Sequence, residues 1–419
     1  MRGEKVSLPE MLEAREQRVG RQREMLRQRG LPLVSFTMNI AGEIKRDPRV
    51  DFAFDYGMER LAALCGEPVA WRRSDGKTGP EILLAYERDL AELKALCRII
   101  EEESPVGRLY DMDVIGRDGG KLGRDTPRRC LVCGGPVAVC SRSRAHGLDA
   151  IVGKTEELLN GFTARRLGEL AVRALKEEAE LTPKPGLVDR ADNGAHEDMD
   201  LALFLKSADA LLPYYCEAAR LGLEQGTDAM PELQEAGKQA EECMFAATGG
   251  VNTHKGAVYI LGLLAAALGS CAVRGGCVWD VAAALAEAGF NRPDGTHGAE
   301  VRRRYGAVGA REEALEGFPT VQAAVEALRN GEDAFGALLT VMSLCRDSNL
   351  LYRGGKEALA FARQEAKKAL DLQGEERLRA LEEMNRLFIE RRWSPGGCAD
   401  VLAAALLVRS AEALVYCEK

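Results

Sequence analysis

The chain has 419 residues, 46% hydrophobic and 29% charged, a composition that excludes extended disorder and a fibrous chain. Its length fits two or three domains. Its net charge of −8 excludes bulk nucleic-acid binding, which needs basic charge. That charge is unevenly divided: residues 1–152 hold 26 Lys and Arg against 24 Asp and Glu, a net +2, and residues 153–419 carry −10. The twelve cysteines suggest no disulfide framework; Cys65, Cys97, Cys216, Cys243, Cys345 and Cys417 stand singly in apolar helical patterns, as reduced core thiols do. No apolar signal-type stretch follows Met1, and the longest apolar runs, 257–268 and 401–408, are too short for a bilayer. The expectation is a cytoplasmic protein with neither a membrane nor a nucleic-acid partner.

In chain order, residues 8–28 read as an Arg-rich amphipathic helix ending at Gly30, and 31–40 as a strand. A helix follows over 48–64, then short strands at 69–71 and 82–86. Residues 89–103 read as a helix closed by Ser104-Pro105, and 106–115 as a strand. Helices mixed with strands give an α/β (α+β) domain over 1–152. From Thr163 onward a 3.6-residue apolar period runs through segments such as 165–180, 199–212, 233–246, 257–268, 334–345, 357–372 and 400–413. The fold class is therefore two domains, the second all-α over 153–419, with the change placed among the glycines at 147, 153 and 161.

In the first half, Asp111 and Asp113 sit two apart in a predicted strand, so they share one face. Paired carboxylates suit Mg²⁺ carrying phosphate oxygens; the competing reading is the solvated face of an edge strand. Downstream, Arg117, Lys121, Arg124, Arg128, Arg129, Arg142 and Arg144 outnumber Asp118 and Asp125. Such a stretch suits a polyphosphate or an acidic protein partner, or simply a solvated surface. Cys130, Cys133, Cys140 and His146 offer three thiolates and an imidazole for structural Zn²⁺, although the second half of the spacing is irregular. The alternative is a turn with unmetallated thiols.

The second half carries four polar, Gly-rich junctions. The first runs from Thr182-Pro183-Lys184-Pro185-Gly186 through Asp189 to His196, Asp198 and Asp200. If 195–200 opens a helix, His196 and Asp200 share a face; otherwise the acids complement a helix start. The second, Thr248-Gly249-Gly250-Val251-Asn252-Thr253-His254-Lys255-Gly256, leads into the apolar helix and reads as an anion site or a tight turn. The others hold Asp347, Asn349, Arg353, Gly354 and Gly355, and Ser394, Gly396, Gly397 and Asp400. Four junctions in one helical domain point to a shared pocket, with carboxylates for Mg²⁺ and Lys184, Lys255 and Arg353 for phosphates.

These residues match two families. Residues 8–148 resemble the transferase that attaches the prosthetic group of citrate lyase to its acyl carrier protein. The matching stretches are Ser35-Phe36-Thr37-Met38-Asn39-Ile40, Gly42 with Lys45, Thr78-Gly79-Pro80-Glu81, 107–114 and 129–146; Ala41 stands where that family usually has Pro. Residues 165–410 resemble triphosphoribosyl-dephospho-CoA synthase through 181–200, 244–256, Arg304-Tyr305-Gly306, Gly317-Phe318-Pro319, 347–355 and 394–400. Cys398 replaces a Ser or Ala there, and Trp393 is atypical.

The resemblance implies two consecutive reactions. In the second half, dephospho-CoA takes the triphosphoribosyl group of ATP with loss of adenine. Asp189, His196, Asp198, Asp200 and Asp347 become acid, base or metal candidates. Lys184, Asn252, Thr253, His254, Lys255, Asn349, Arg353, Gly354, Gly355, Ser394, Gly396, Gly397 and Asp400 become substrate-binding candidates. In the first half the resemblance implies nucleotidyltransferase-type chemistry. A serine of the carrier protein attacks a phosphate and pyrophosphate leaves, with Asp111 and Asp113 on Mg²⁺ and Asn39, Lys45 and Arg108 on substrate. Two rivals remain: maturation of malonate decarboxylase, which uses the same prosthetic group, and a non-catalytic nucleotide- or CoA-binding assembly factor. Adenine release discriminates against the second.

Overall fold

The computed structural model describes residues 1–124, 126–289 and 309–414. Asp125, the Arg304-Tyr305-Gly306 match and Cys417 lie outside the described residues. The chain divides into two compact units, Met1–Thr163 and Ala164–Lys419.

The first unit is built on a four-stranded antiparallel sheet of order β2-β3-β1-β4. Its strands are β1 Leu33–Met38, β2 Ala70–Gly76, β3 Gly79–Ala85 and β4 Tyr110–Ile115. Alternation along them separates two faces. Val34, Phe36, Ile82, Leu84, Tyr110, Met112 and Val114 are buried in the core, which α2 (Pro48–Cys65) and α3 (Leu90–Glu102) complete. Phe36 stacks on Phe54 of α2, ring centroids 4.4 Å apart. The opposite face carries Leu33, Leu83, Ala85 and Ile115 packed against Met25 of α1 (Leu8–Arg29). The same face carries polar Ser35, Thr37, Glu81, Asp111 and Asp113, paired across strands as Thr37 with Glu81 and Asp111, and Ser35 with Asp113. Gln22 of α1 donates to Ser35 Oγ at 3.0 Å, and Arg18 donates to Glu81 at 2.6 Å. Helix α4 (Val137–Ser143) and the long α5 (Leu148–Glu180) follow; α5 gives its first half to this unit and its second half to the next.

Two strands differ from the sequence reading. Strand β2 extends to Gly76 because it is an edge strand with outward charged side chains (Arg72, Arg73 and Asp75), so no apolar alternation marks it. The expected strand at 106–115 starts only at Tyr110, since Pro105–Leu109 forms a 3-10 turn. Gly107 lies close against the carbonyls of Ile100 and Glu101 there, and an added Cβ would fall 2.6 Å from Glu101 O.

The second unit is helical, and no strand occurs among its described residues. Its helices after α5 are α6 Leu201–Ala210, α7 Leu212–Gln225, α8 Met230–Thr248, α9 Lys255–Arg274, α10 Val278–Ala288, α11 Ala310–Leu315, α12 Pro319–Arg329, α13 Ala334–Leu344, α14 Ser348–Leu370, α15 Gly374–Glu390 and α16 Gly396–Ser410. Helix α9 is the centre, with α7, α8, α10 and α16 packed around it. At 20 residues and mean hydropathy 2.0 it is long and apolar enough to cross a bilayer, longer than the apolar run alone suggested. However, 83% of its most apolar 18-residue stretch is buried inside the unit, as for a core helix. The α7–α9 crossing needs glycine: a Cβ on Gly222 would fall 1.9 Å from Ala266 O, and one on Gly269 2.3 Å from Ala219 O.

The expected helix at 199–212 is two helices. Asp200 caps α6 by accepting Leu203 N at 2.8 Å, and Pro213 sits in the first turn of α7. Residues 195–199 are turn and bend, so His196 and Asp200 do not share a helix face. Among the scattered thiols, Cys65 and Cys97 are buried, but Cys243 is exposed and Cys216 and Cys345 are partly exposed.

Candidate functional site

The four junctions of the second unit converge on one cavity of about 730 Å³. Lys184, His196, Asp198, Asn252, Thr253, His254, Lys255, Asp347, Asn349, Arg353, Ser394, Gly396, Gly397 and Asp400 all line it. Helices α9 and α16 both begin at its wall, which places the positive ends of two helix dipoles beside it.

Glycine is what lets the junctions meet. A Cβ on Gly256 would fall 2.0 Å from Asp400 Oδ2, one on Gly397 2.9 Å from Asp347 Oδ2, and one on Gly396 2.6 Å from Asn349 Nδ2. Asp347 fastens two of the junctions together. It caps α14 by accepting Asn349 N at 2.8 Å and Leu350 N at 2.9 Å, and it accepts Cys398 N at 2.9 Å from the start of α16. Burial raises its carboxyl from the usual range, and these N–H groups oppose that rise. Asp400 is pushed well up by burial, with the nearby charges of Glu178 and Asp347 adding to it. Its protonated form is thereby favoured.

The two histidines are both kept neutral. Burial lowers His196, and the Arg353 charge adds to the effect; its Nε2 lies 2.9 Å from Ser394 Oγ. His254 is completely buried and driven down to about 3 by that burial, with the Lys184 charge contributing. Its Nδ1 lies 2.8 Å from Ser207 Oγ, which in turn lies 2.7 Å from Thr253 Oγ1. His254 Nε2 is buried without a hydrogen-bond partner.

This arrangement makes stability acid-sensitive. The unfolded imidazole takes a proton near 6.5, whereas folded His254 does so only near 3. Its contribution is fully present above the unfolded value and is lost as pH falls toward 3. We expect His254→Asn to lose less stability than the parent between about pH 7 and about pH 5, read by urea unfolding. Equal losses in the two proteins would refute this.

The cations divide into two kinds. Lys184 is buried, and its Nζ lies 2.6 Å from Glu178 Oε1. Lys255 is paired with Glu241 at 2.8 Å but is 41% exposed. Arg353 is exposed and donates to Ala195 O and Arg392 O at 3.3 and 3.4 Å. Exposed Arg346 also lines the cavity. Sequence reasoning missed Arg346, which adjoins the third junction, and Glu178, Ser207 and Glu313, each of which lies in a helix without a motif around it.

Four expected residues lie off the cavity wall. Asp189 is spent on its own turn, accepting Lys184 N, Ala191 N and Asp192 N at 2.9, 2.7 and 3.1 Å. Asp200 is the α6 cap. Gly354 packs on the Trp393 indole, where a Cβ would fall 2.3 Å from Nε1, and Gly355, at φ 65°, breaks α14.

In the first unit, Asp111 and Asp113 do share a face of edge strand β4. Asp111 is half exposed with Arg128 at 3.8 Å, and Asp113 pairs with Lys121 at 2.5 Å. Arg128 also donates to Tyr110 O at 2.7 Å, and Arg108 donates to Arg129 O. Lys45 Nζ donates to Ile40 O at 2.6 Å, and burial lowers its pKa. Asn39 is exposed, its backbone N–H bound to Leu109 O. Cys130, Cys133, Cys140 and His146 come together, their ligand atoms all within 4.8 Å of one another.

Comparison with known proteins agrees with this division. Residues 164–418 match the family model described as ATP:dephospho-CoA triphosphoribosyl transferase. Residues 6–162 match that of apo-citrate lyase phosphoribosyl-dephospho-CoA transferase. Protein CitXG of Haemophilus influenzae is 33% identical over 97% of both chains, and Protein CitXG of Leuconostoc mesenteroides is 29% identical over the same share. A probable 2-(5''-triphosphoribosyl)-3'-dephosphocoenzyme-A synthase of Pseudomonas fluorescens is 44% identical, covering 58% of this chain and 91% of its own. The chain therefore belongs to the family in which an apo-citrate lyase phosphoribosyl-dephospho-CoA transferase is fused to an ATP:dephospho-CoA triphosphoribosyl transferase.

Proposed function

We propose that the chain makes and attaches the citrate lyase prosthetic group in two steps, one in each unit. In the second unit, the ribose 2′-hydroxyl of dephospho-CoA attacks the anomeric carbon of ATP. A C–O bond forms, the C–N bond to adenine breaks, and triphosphoribosyl-dephospho-CoA results. In the first unit, a serine of the citrate lyase acyl carrier protein attacks the phosphate next to the ribose and releases pyrophosphate. That step is nucleotidyltransferase-type chemistry. A cytoplasmic location suits both substrates and a chain whose described cysteines are all free.

The observation that carries the first step is the convergence of four junctions on one cavity lined by carboxyl, imidazole and cationic side chains. We assign Asp400 as the acid that protonates departing adenine, since it lines the cavity and its burial favours the protonated form. We assign His196, kept unprotonated, as the acceptor of the hydroxyl proton. Lys255, Arg346, Arg353 and the starts of α9 and α16 would bind the triphosphate. Asp198, exposed at the cavity mouth, would help to hold Mg²⁺ on it. Asp347 acts by positioning.

For the second step, Asp111 and Asp113 fit Mg²⁺: two carboxylates on one strand face, one of them half exposed, leave room for phosphate and water oxygens. When bound, the ion would neutralise charge on the phosphates. Arg108 and the basic stretch after β4 would face the phosphates and the acidic carrier.

The test is incubation with ATP, Mg²⁺ and dephospho-CoA, with adenine followed by chromatography. Release of adenine in proportion to dephospho-CoA consumed is expected, and Asp400→Asn should lower it by roughly 100-fold or more. Absence of adenine from the parent protein would sink the synthase reading.

A further inference from the structure

We propose that Cys130, Cys133, Cys140 and His146 hold a structural Zn²⁺ that fastens the segment after β4 back onto the strand carrying Asp111 and Asp113. The four ligand atoms come from a stretch of seventeen residues and lie within 4.8 Å of one another. Cys133 Sγ and Cys140 Sγ are 3.5 Å apart. A tetrahedron with Zn–S bonds of about 2.3 Å has edges of about 3.8 Å, so small adjustments close the site.

Backbone geometry supports the same conclusion independently. Cys130-Leu131-Val132-Cys133-Gly134-Gly135 folds as a knuckle: Gly134 N donates to Cys130 O at 3.0 Å, Cys130 N donates to Gly135 O at 2.6 Å, and Gly134 takes φ 71°. The Val132 and Cys133 N–H groups point at the Cys130 sulfur, as backbone amides do in a metal-binding knuckle. His146 Nε2 is buried with no hydrogen-bond partner. Three soft sulfurs and one imidazole select zinc over magnesium.

The contrast with a second convergence, Cys345 with Asp347 and Cys398, is instructive. There the Asp347 oxygens already accept three backbone N–H groups, which gives that carboxylate a positioning role between two helix starts. The Cys₃His segment has only the seven-residue α4 as regular structure and no core of its own, the situation in which small folds use metals. What the metal would hold in place is concrete. Arg129 O accepts from Arg108, and Arg128 donates to Tyr110 O and lies 3.8 Å from Asp111. That this serves carrier modification rests on the proposed function; the metal itself does not.

The test uses the full chain, purified under reducing conditions without chelator, with zinc measured by plasma mass spectrometry. About one equivalent is expected. The Cys133→Ser/Cys140→Ser double variant should lose it while adenine release by the second unit is unchanged, and near-parent circular dichroism shows that the first unit stays folded. Cobalt added to apoprotein should give the intense visible bands of tetrahedral thiolate coordination. Less than about 0.2 equivalents in thiol-reduced protein, with no uptake of added zinc or cobalt, would overturn the proposal. So would full retention by the double variant. Failure of adenine release with zinc present would count against the functional reading and leave the metal site standing.

Discussion

Asp111→Asn is expected to lower modification of the carrier protein by at least about 100-fold while leaving adenine release at the parent rate. The substitution removes one negative charge and keeps the size and shape of the side chain. Asp111 is half exposed, and its described cation neighbour is Arg128 at 3.8 Å, so folding should change by no more than about 0.5 kcal/mol. A metal holding phosphates between Asp111 and Asp113 would, by contrast, lose half of its protein charge. The measurement is the intact mass of the carrier after incubation with ATP, Mg²⁺, dephospho-CoA and enzyme. A mass shift at the parent rate would show that Asp111 does not carry the metal. Loss of adenine release as well would show that the two steps do not have separate sites. Asp113→Asn adds a control of a different kind, because it also releases Lys121 from its 2.5 Å ion pair.

What sequence could and could not reveal follows from how local each constraint is. The alternation at Asp111 and Asp113 is local, since any strand places residues two apart on one face; the structure needed only to make 110–115 a strand. The cavity junctions were legible for a similar reason. Gly256 and Gly397 are glycines because a carboxylate occupies the space of their Cβ, and such pressure leaves a mark in one short stretch. Strand β2 showed only its start, at 69–71, because the side chains beyond it are charged. Asp200 and Asp189 looked catalytic because caps and turns use the same residue type as acid–base chemistry. Glu178 and Ser207 could not have been found. Each is one polar residue inside a helix, where the pattern is the same whether it faces solvent or a cavity, and only the packing of α5, α6 and α9 decides between them.

Lys184→Met is expected to cost about 3–5 kcal/mol of stability, because it leaves Glu178 charged and buried with its cation gone. Both side chains are almost fully enclosed, 2% and 4% exposed, and their charged atoms are 2.6 Å apart. Loss of adenine release in this single variant would therefore be ambiguous between unfolding and lost chemistry. The double variant Lys184→Met/Glu178→Leu separates them, since replacing both members of a buried pair by apolar groups of similar volume removes the uncompensated charge. Thermal unfolding should return close to that of the parent. Adenine release should stay down by roughly 100-fold or more, because Lys184 does more than neutralise Glu178. Its charge helps to keep His254 unprotonated, and Glu178 helps to keep the proton on Asp400. Removing the pair thus shifts two cavity groups at once: His254 becomes easier to protonate, and Asp400 becomes easier to ionise. The residual activity should accordingly have a narrower pH range than the parent's, with the alkaline limb moved to lower pH as Asp400 gives up its proton sooner. Recovery of full activity together with stability would mean that the pair only supports the fold, and would remove Lys184 and Glu178 from the chemistry.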